Sequence, residues 1–248
     1  MNGDAGQTPC RACPLRRLPL FANATATEVD FIETFKMGEL HGKAGGTIYL
    51  EGATSPHLFT LLSGWAFRYK TLPDGRRQIL NYVLPGDFIG LQTTLAETLD
   101  HGIEALTDVR LCVFSRDRLA DLFRNQPSLA LDVTWLAARD ERILDDHLLA
   151  VGRRRSRERI AYLLWHLMTR GRESGLVGKD GSLVLPMTQQ HLADTLGLSL
   201  VTFNKTLQRL RATGLFVFGD RRLKILDEAK TIAVAAADGV RPRSRPLI

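Results

Sequence analysis

Residues 188–211, TQQHLADTLGLSLVTFNKTLQRLR, decide the fold, because they have the pattern of two short helices joined by a tight turn. Thr188 is placed to cap the first helix, and Gly197 follows its last apolar residue, where a chain leaving a helix often needs a positive φ. Ser199 offers a hydroxyl cap for the second helix. Ala193, four residues before Gly197, is small enough to let the two helices cross closely. This is the layout of a helix-turn-helix.

The outward face of the second predicted helix is the candidate DNA-reading surface. Phe203, Leu207 and Leu210 repeat at spacings of four and three residues, so we expect them to face inward. In a helix-turn-helix the exposed start of the second helix enters the major groove of DNA. An ordinary helical hairpin is the alternative, but the glycine, the small residue, the caps and the apolar positions all favour the motif. The residues predicted to contact DNA are Thr188, Gln189, Ser199, Leu200, Val201, Thr202, Asn204, Lys205, Gln208 and Arg209.

Positive charge is concentrated in the half of the chain that carries this motif. The net charge is +6, yet residues 153–248 hold 18 Lys and Arg against 8 Asp and Glu, whereas residues 1–152 hold 15 against 19. Attraction to phosphate groups needs positive charge beside the DNA-reading helix. A basic surface kept only for solubility would have no reason to be so one-sided, so the asymmetry supports a nucleic-acid partner.

Length and composition describe an ordinary globular protein with room for two domains. The chain has 248 residues, of which 44% are hydrophobic and 24% charged. No run approaches 18 uninterrupted apolar residues, and the start, MNGDAGQTPC, has no apolar signal-peptide core. We therefore expect a cytoplasmic protein without a membrane span. Three cysteines, an odd number, argue against a disulfide framework.

Residues 40 to 114 have the sequence pattern of a β-domain. Glycines recur there, short runs of β-forming residues lie between them, and Pro73-Asp74-Gly75 is a turn signal. Several short strands at such spacing indicate an antiparallel sandwich or roll. The predicted strands are Thr47–Leu50, Leu58–Leu62, Trp65–Lys70, Gln78–Leu84 and Arg110–Phe114.

A long helix is predicted after the β-domain, from Pro127 to about Val151. Its apolar residues follow heptad-like steps, broken by Asp140 and His147. A helix this long with a narrow apolar seam usually packs against a copy of itself, and a two-fold pair doubles the DNA contact. The alternative is a helix that lies on its own roll. The residues predicted for the dimer interface are Leu129, Val133, Leu136 and Ile143.

Short strands on both sides of residues 188–211 predict a winged helix-turn-helix. Leu183–Leu185 precedes the motif, and Phe216–Phe218 and Arg222–Ile225 follow it as a hairpin with Gly219-Asp220 as the turn. The predicted domains are an irregular cysteine-bearing arm (1–22), a β-roll sensor domain (23–126), a dimerisation helix (127–152), a winged helix-turn-helix DNA-binding domain (153–230) and a disordered tail (231–248).

This order of elements resembles the Crp–Fnr family of bacterial transcription regulators. The resemblance rests on Gly86-Asp87-Phe88-Ile89-Gly90 in the roll, on TQQHLADTLGLS, and on the order of arm, roll, long helix and winged motif. It implies an α+β fold, with an N-terminal antiparallel β-roll of the cyclic-nucleotide-binding, jelly-roll type, a long dimerisation helix and a C-terminal winged helix-turn-helix. It also implies a homodimeric transcription regulator that binds a palindromic site in double-stranded DNA and works with RNA polymerase.

Two other classes of function are weighed against this one. An effector-binding or protein-interaction module could use the same fold, and the salt dependence of binding to random duplex would separate it from a DNA-binding protein. An enzyme is not expected, because Asp87, His101, His147 and His191 are scattered over different predicted elements without nucleophile–base spacing.

The chain departs from the cyclic-AMP-binding members of the family. Those members carry a Glu for the ribose hydroxyl and an Arg-Ser pair for the phosphate, where this chain has LQTT at 91–94 and DHGI at 100–103. No arginine lies between Arg77 and Arg110. Because a buried cyclic phosphate needs a fixed cation, we do not expect cyclic AMP to bind. The resemblance is nearer to the Fnr-like branch.

The recognition helix departs from the family as well. Members that share a TGA-type core read it with a Glu and an Arg, and the matching positions here are Val201 and Lys205. Val201 cannot accept a hydrogen bond from cytosine but can touch a thymine methyl group, Asn204 can pair with adenine, and Lys205 can pair with guanine. The half-site is therefore expected to differ from the usual one.

The three cysteines suggest a signal that is linked to redox state, oxygen or a metal. In the Fnr branch an iron–sulfur cluster is held by several cysteines of the arm and one late in the roll, and Cys10, Cys13 and Cys112 resemble part of that set. One arm cysteine is missing, since Pro19 or its neighbours stand there, and four thiolates are the usual count. A thiol redox switch, a haem at Cys13-Pro14 and three cysteines without a cofactor remain open alternatives.

Overall fold

The structure, a computed structural model, describes residues 7–22, 24–92, 98–238 and 244–248. The chain forms two compact units. The first unit comprises Met1–Ala66, Val83–Glu141 and Arg243–Ile248, and the second comprises Phe67–Tyr82 and Arg142–Pro242. Within the described residues no helix is long and apolar enough to cross a membrane.

The first unit is built on a β-roll. The elements of this unit are two 3-10 turns (Cys10–Ala12 and Pro14–Arg17), helix α1 (Ala26–Phe35), strands β1 (Lys36–Gly42), β2 (Thr47–Tyr49), β3 (His57–Ser63), β6 (Phe88–Ile89), β7 (Gly102–Ala105) and β8 (Val109–Ser115), helix α2 (Leu119–Asn125) and the first part of helix α3 (Pro127–Arg153). The four-stranded sheet has the order β1-β8-β3-β6, with β8 antiparallel to both β1 and β3, and β2 pairs with β7. The antiparallel roll predicted from the glycine-rich segment is confirmed.

The strands β4 (Ala66–Thr71) and β5 (Arg77–Val83) are neighbours in their sheet and belong almost entirely to the second unit. The remaining elements of that unit are the end of α3, helix α4 (Ser156–Glu173), strand β9 (Leu183–Val184), helices α5 (Gln189–Leu196) and α6 (Leu200–Arg211), strands β10 (Phe216–Gly219) and β11 (Arg222–Ile225) and helix α7 (Glu228–Val234).

A three-stranded sheet in the order β10-β11-β9 forms the wing. Phe216 pairs with Ile225 and Gly219 with Arg222 across the hairpin. Asp220 and Arg221 make its two-residue turn with φ of 49° and 59°, since a turn with two positive φ values matches the twist of the flanking strands. The winged motif is confirmed, with the turn one residue later than the sequence suggests.

The residues predicted for the dimer seam are buried within the protomer. Leu129, Val133 and Leu136 are 1%, 3% and 5% exposed, and they pack in the core of the first unit with Phe35, Phe114 and other apolar residues. Ile143, in the second unit, is 8% exposed. The heptad-like pattern marks the side of α3 that lies on its own protomer, because a helix on a roll needs an apolar stripe of the same spacing.

Residues 231–238 and 244–248, which were expected to be disordered, include the end of a helix and three buried residues. Helix α7 continues to Val234, and Asp227 caps it by accepting a hydrogen bond from Lys230 N. Arg245, Leu247 and Ile248 are 1%, 6% and 4% exposed within the first unit. Composition suggested disorder because the segment has three arginines and two prolines, but composition does not show the acidic and apolar partners that bury Arg245.

A substitution at Gly197 tests the turn between α5 and α6. Its φ is +60°, and an added Cβ would meet nothing closer than 3.9 Å, so the only cost of a side chain is the left-handed backbone. We expect Gly197→Ala to lower the free energy of unfolding by about 1 kcal/mol. Gly197→Asn, the matched control, should lose less because asparagine tolerates this conformation. Urea denaturation measures both, and equal losses would contradict the assignment.

Candidate nucleic-acid interface and cysteine cavity

Helix α5 begins and ends at the residues that the sequence indicates. The Thr188 hydroxyl accepts a hydrogen bond from His191 N at 3.1 Å, and His191 Nδ1 accepts one from Thr188 N at 3.3 Å, which completes a capping box. Gly197 ends the helix in the left-handed conformation, and its N–H donates to Ala193 O. His191 therefore has a structural role at the helix start.

Helix α6 presents the predicted face to solvent. Ser199 accepts a hydrogen bond from Thr202 N at 3.2 Å, which fixes the start of the helix. Phe203, Leu207 and Leu210 are 1%, 4% and 1% exposed, as expected. The residues predicted to contact DNA that are exposed are Thr188, Gln189, Ser199, Leu200, Val201, Thr202, Lys205, Gln208 and Arg209.

Asn204 is the exception on this face. It is only partly exposed, and its Oδ1 is buried without a hydrogen-bond partner among the described residues. A buried amide oxygen without a partner costs free energy. Bidentate pairing with adenine needs this oxygen to accept from the base, so the side chain has to rotate outward before it can read DNA.

Exposed basic residues surround the DNA-reading face in the second unit. Lys205, Arg209 and Arg211 lie on α6, and Arg221, Arg222 and Lys224 lie at the wing. Arg222 is held in place, because its Nη1 donates to Ser182 Oγ at 3.2 Å and lies 4.0 Å from Asp180 Oδ2. Helix and wing therefore both offer cations to a phosphate backbone.

The β4–β5 hairpin holds α5 through hydrogen bonds, and no sequence pattern indicated this role. The Tyr82 hydroxyl lies 2.7 Å from Thr195 Oγ1, and Gln78 Nε2 donates to Thr195 O at 3.1 Å. Arg170 Nη1 donates to Asn81 Oδ1 at 2.8 Å and to Tyr82 O at 2.6 Å. Burial raises the pKa of Tyr82, which keeps its hydroxyl protonated. These side chains fix the first helix of the motif.

The arm is held against the roll by a buried charged group. Glu39 Oε1 accepts hydrogen bonds from Thr8 N and Lys36 Nζ, at 2.7 and 2.8 Å, and Arg110 Nη2 donates to Glu39 Oε2 at 3.0 Å. Burial acts to raise the pKa of Glu39, but the hydrogen bonds from Lys36, Thr8 and Arg110 outweigh it and lower the pKa to about 2. These hydrogen bonds join the arm that carries Cys10 and Cys13 to strands β1 and β8.

The three cysteines, up to 102 residues apart along the chain, line one cavity of the first unit. Cys10 and Cys112 are buried and Cys13 is partly exposed. Burial, followed by the nearby Glu33 carboxylate, raises the pKa of Cys10 to about 12. Burial raises the pKa of Cys112 to about 11. Both buried groups are therefore protonated thiols at neutral pH.

The cavity does not fit an iron–sulfur cluster in this arrangement. No group of three His, Cys, Asp or Glu side chains among the described residues is placed to hold a metal ion. The cavity has a volume of about 20 Å³, enough for roughly one water molecule. The predicted metal ligands Cys10, Cys13 and Cys112 are brought together as thiols and not as a formed ligand set.

Two family models match the two halves of the chain. A cyclic nucleotide-binding domain matches residues 39–126, and a Crp-like helix-turn-helix domain matches residues 158–230. The first match agrees with the predicted roll, and the second spans α5, α6 and the wing.

Relatives match over nearly the whole chain. The nitrogen fixation regulation protein FixK of Bradyrhizobium diazoefficiens is 31% identical over 92% of this chain and 94% of its own length. The transcriptional activator protein FnrL of Cereibacter sphaeroides is 27% identical over 92% of each chain. The solved structure of FixK2 from Bradyrhizobium japonicum superposes with a TM-score of 0.73 at 28% identity, covering 81% of this chain and 98% of that one. The chain therefore belongs to the Crp–Fnr family of transcription regulators, nearer to its Fnr-like branch, and is a DNA-binding regulator and not an enzyme.

Proposed function

We propose that the chain binds a two-fold symmetric DNA site as a homodimer, and that the thiols of the first unit set its affinity for that site. The observation that carries base readout is the exposed, capped start of α6, with Val201 63% exposed beside Lys205. FnrL is named a transcriptional activator, which supports activation through contact with RNA polymerase as part of the proposal. A protein-interaction module would not need cations on both helix and wing.

Cyclic AMP has no part in the proposed signal. One matching domain is named for cyclic nucleotides, yet the sequence has no arginine between Arg77 and Arg110 to neutralise a buried phosphate. Asp87, in the motif shared with that domain, is bound by Arg139 Nη1 at 3.1 Å and Arg245 Nη1 at 3.3 Å. Absence of cyclic AMP binding stays a prediction.

Lys205 is expected to read one base pair. Lys205→Ala should lose about 1–3 kcal/mol of discrimination at that pair, because the ammonium donates to guanine acceptors in the major groove. Sequences selected from random DNA supply the site, and fluorescence anisotropy with single-pair variants of it measures the loss. Lys43→Ala is the matched control, since Lys43 is an exposed lysine of the first unit that is paired with Asp108. Equal losses on specific and random DNA would show that Lys205 contacts only phosphate.

The proposed dimer seam lies on the other side of α3 from the one first predicted. Leu131 and Leu149 are 71% and 50% exposed, and Ala138 is exposed as well. Spacings of seven and eleven residues place the three on one face of a helix, and exposed leucines in such a row favour association of two copies. The occupant of this face is a second copy of the chain, since a two-fold pair doubles DNA contact.

Charged substitutions on the exposed face of α3 test the proposed dimer seam. Leu131→Glu combined with Leu149→Glu should give monomers that keep their fold but bind operator DNA weakly, because two copies would face each other with buried like charges. Leu148→Glu is the control, since Leu148 is 69% exposed but lies about a quarter turn away from that face. Analytical ultracentrifugation reads the oligomeric state. A tight dimer in the double variant places the interface elsewhere.

The proposed signal is oxidation of the thiols by a peroxide. Cys13 is the accessible member of the three, so its sulfur attacks hydrogen peroxide first and forms a sulfenic acid and water, and a second thiol of the same cavity then displaces hydroxide from that sulfenic acid. In total, two thiols lose two electrons and two protons to one molecule of hydrogen peroxide, giving one disulfide and two water molecules. The cavity brings candidate partner sulfurs together without requiring a metal.

Serine variants test this signal. Peroxide should change the DNA affinity of the reduced wild type several-fold, and Cys13→Ser should abolish that change because the first oxidised sulfur is gone. Peptide mapping without reductant identifies the partner of Cys13, and the triple serine variant is the insensitive control. If peroxide changes the DNA affinity of Cys13→Ser as much as that of the wild type, the thiol proposal is wrong. A brown anaerobic preparation that contains iron and sulfide would instead show that Cys10, Cys13 and Cys112 hold a cluster in an arrangement other than the one described.

A further inference from the structure

We infer that residues 244–248 form a cap that closes the cysteine cavity and controls access to its thiols. The inference concerns the accessibility of three sulfurs and holds whether or not their oxidation regulates DNA binding. It starts from the position of Leu247 and Ile248, which line the cavity together with Cys10, Cys13 and Cys112.

Arg245 is the first anchor of the cap. It is 1% exposed, its Nη1 lies 3.3 Å from Asp87 Oδ1, and its Nη2 donates to Pro85 O at 3.2 Å. Its guanidinium carbon lies 4.6 Å from the centroid of the Phe21 ring. A buried guanidinium is tolerated only where hydrogen bonds and a counter-charge replace water, and Asp87 and Pro85 supply them.

Gly86 provides the space for this anchor. Its φ is +89°, and an added Cβ would collide with the Phe21 ring and with Arg245 Nη2. The glycine of the Gly86-Asp87-Phe88-Ile89-Gly90 motif thus allows a residue of the arm and a residue of the cap to meet over the same turn.

Backbone hydrogen bonds join the cap to the arm. Arg245 N donates to Leu20 O at 2.8 Å, and Ala22 N donates to Arg245 O at 2.7 Å, so the two segments form a short parallel bridge. Because the arm carries Cys10 and Cys13, opening of this bridge loosens the wall on which two of the three sulfurs lie.

The second anchor lies at the other end of the cap. The buried hydroxyl of Thr60 donates to Ile248 O at 2.8 Å. Leu247 and Ile248 are 6% and 4% exposed and belong to the same apolar cluster as Cys10 and Cys112. Release of the cap therefore removes two wall residues at once and admits water to the cavity.

The closed cap makes the buried thiols unreactive because it keeps reagents away from Cys10 and Cys112, which are buried against Leu247 and Ile248. Opening of the cap exposes the sulfurs and so increases their rate of reaction.

Alkylation of the full reduced chain tests the cap. N-ethylmaleimide is added under native conditions, and mass spectrometry follows each cysteine separately. In Arg245→Ala, Cys10 and Cys112 should be labelled at least about tenfold faster than in the wild type, because opening needs less free energy. Cys13, already partly exposed, should change less. Arg124→Ala, which removes an arginine with a 75% exposed side chain from the same unit, is the matched control.

Hydrogen exchange of the wild type covers the case in which Arg245→Ala fails to fold. The amides of Ala22 and Arg245 donate hydrogen bonds across the bridge. The opening free energy measured from their exchange should equal the one measured from labelling of Cys10 and Cys112. It should be smaller than the opening free energy of the amide of Leu111, a buried strand residue. If the two thiols react only as fast as Leu111 exchanges, they become accessible through global unfolding and the cap has no controlling role. Unchanged labelling in a folded Arg245→Ala variant overturns the inference as well.

Discussion

The buried carboxylate of Asp87 is the interaction on which the first unit depends. It accepts a hydrogen bond from Leu84 N at 2.8 Å and pairs with Arg139 and Arg245, which come from α3 and from the cap. One acidic side chain thereby joins the roll, the long helix and the last described segment. Loss of one partner of such a buried group typically costs about 3–5 kcal/mol, because it leaves a charge uncompensated in the interior. The Gly86-Asp87 motif therefore organises the domain through this carboxylate.

In the second unit, local caps and one buried row of side chains fix the two helices of the motif in position. The caps at Thr188 and Ser199 and the left-handed Gly197 determine where two short helices start and stop. The buried row of α6 orients the helix, and the β4–β5 hairpin holds α5 through Tyr82 and Thr195. The proposed base readout needs exposed side chains on a helix that is fixed in position, and this division between exposed and buried residues meets both requirements.

The three cysteines lie close together, but the described residues around them do not form a set of metal ligands. Cys10, Cys13 and Cys112 converge on one cavity, yet two of them are protonated thiols in an apolar interior. A metal centre stabilises thiolates and needs room, whereas a thiol pair needs only contact and an opening. The packing of Leu247 and Ile248 against these sulfurs favours chemistry that is controlled by access.

Local patterns determined much of this protein from the sequence alone. The helix-turn-helix, its caps, its left-handed glycine, the wing and the roll follow from residue types at short spacing, because caps, turns and periodicity act over a few residues. Which side of α3 is buried was decided only by tertiary structure, since the same heptad-like stripe suits a partner helix or the protomer's own roll. The same holds for the hairpin behind α5 and for the burial of Arg245, whose partner Asp87 lies 158 residues away. Such contacts depend on where the fold brings distant segments together, and no local spacing records that.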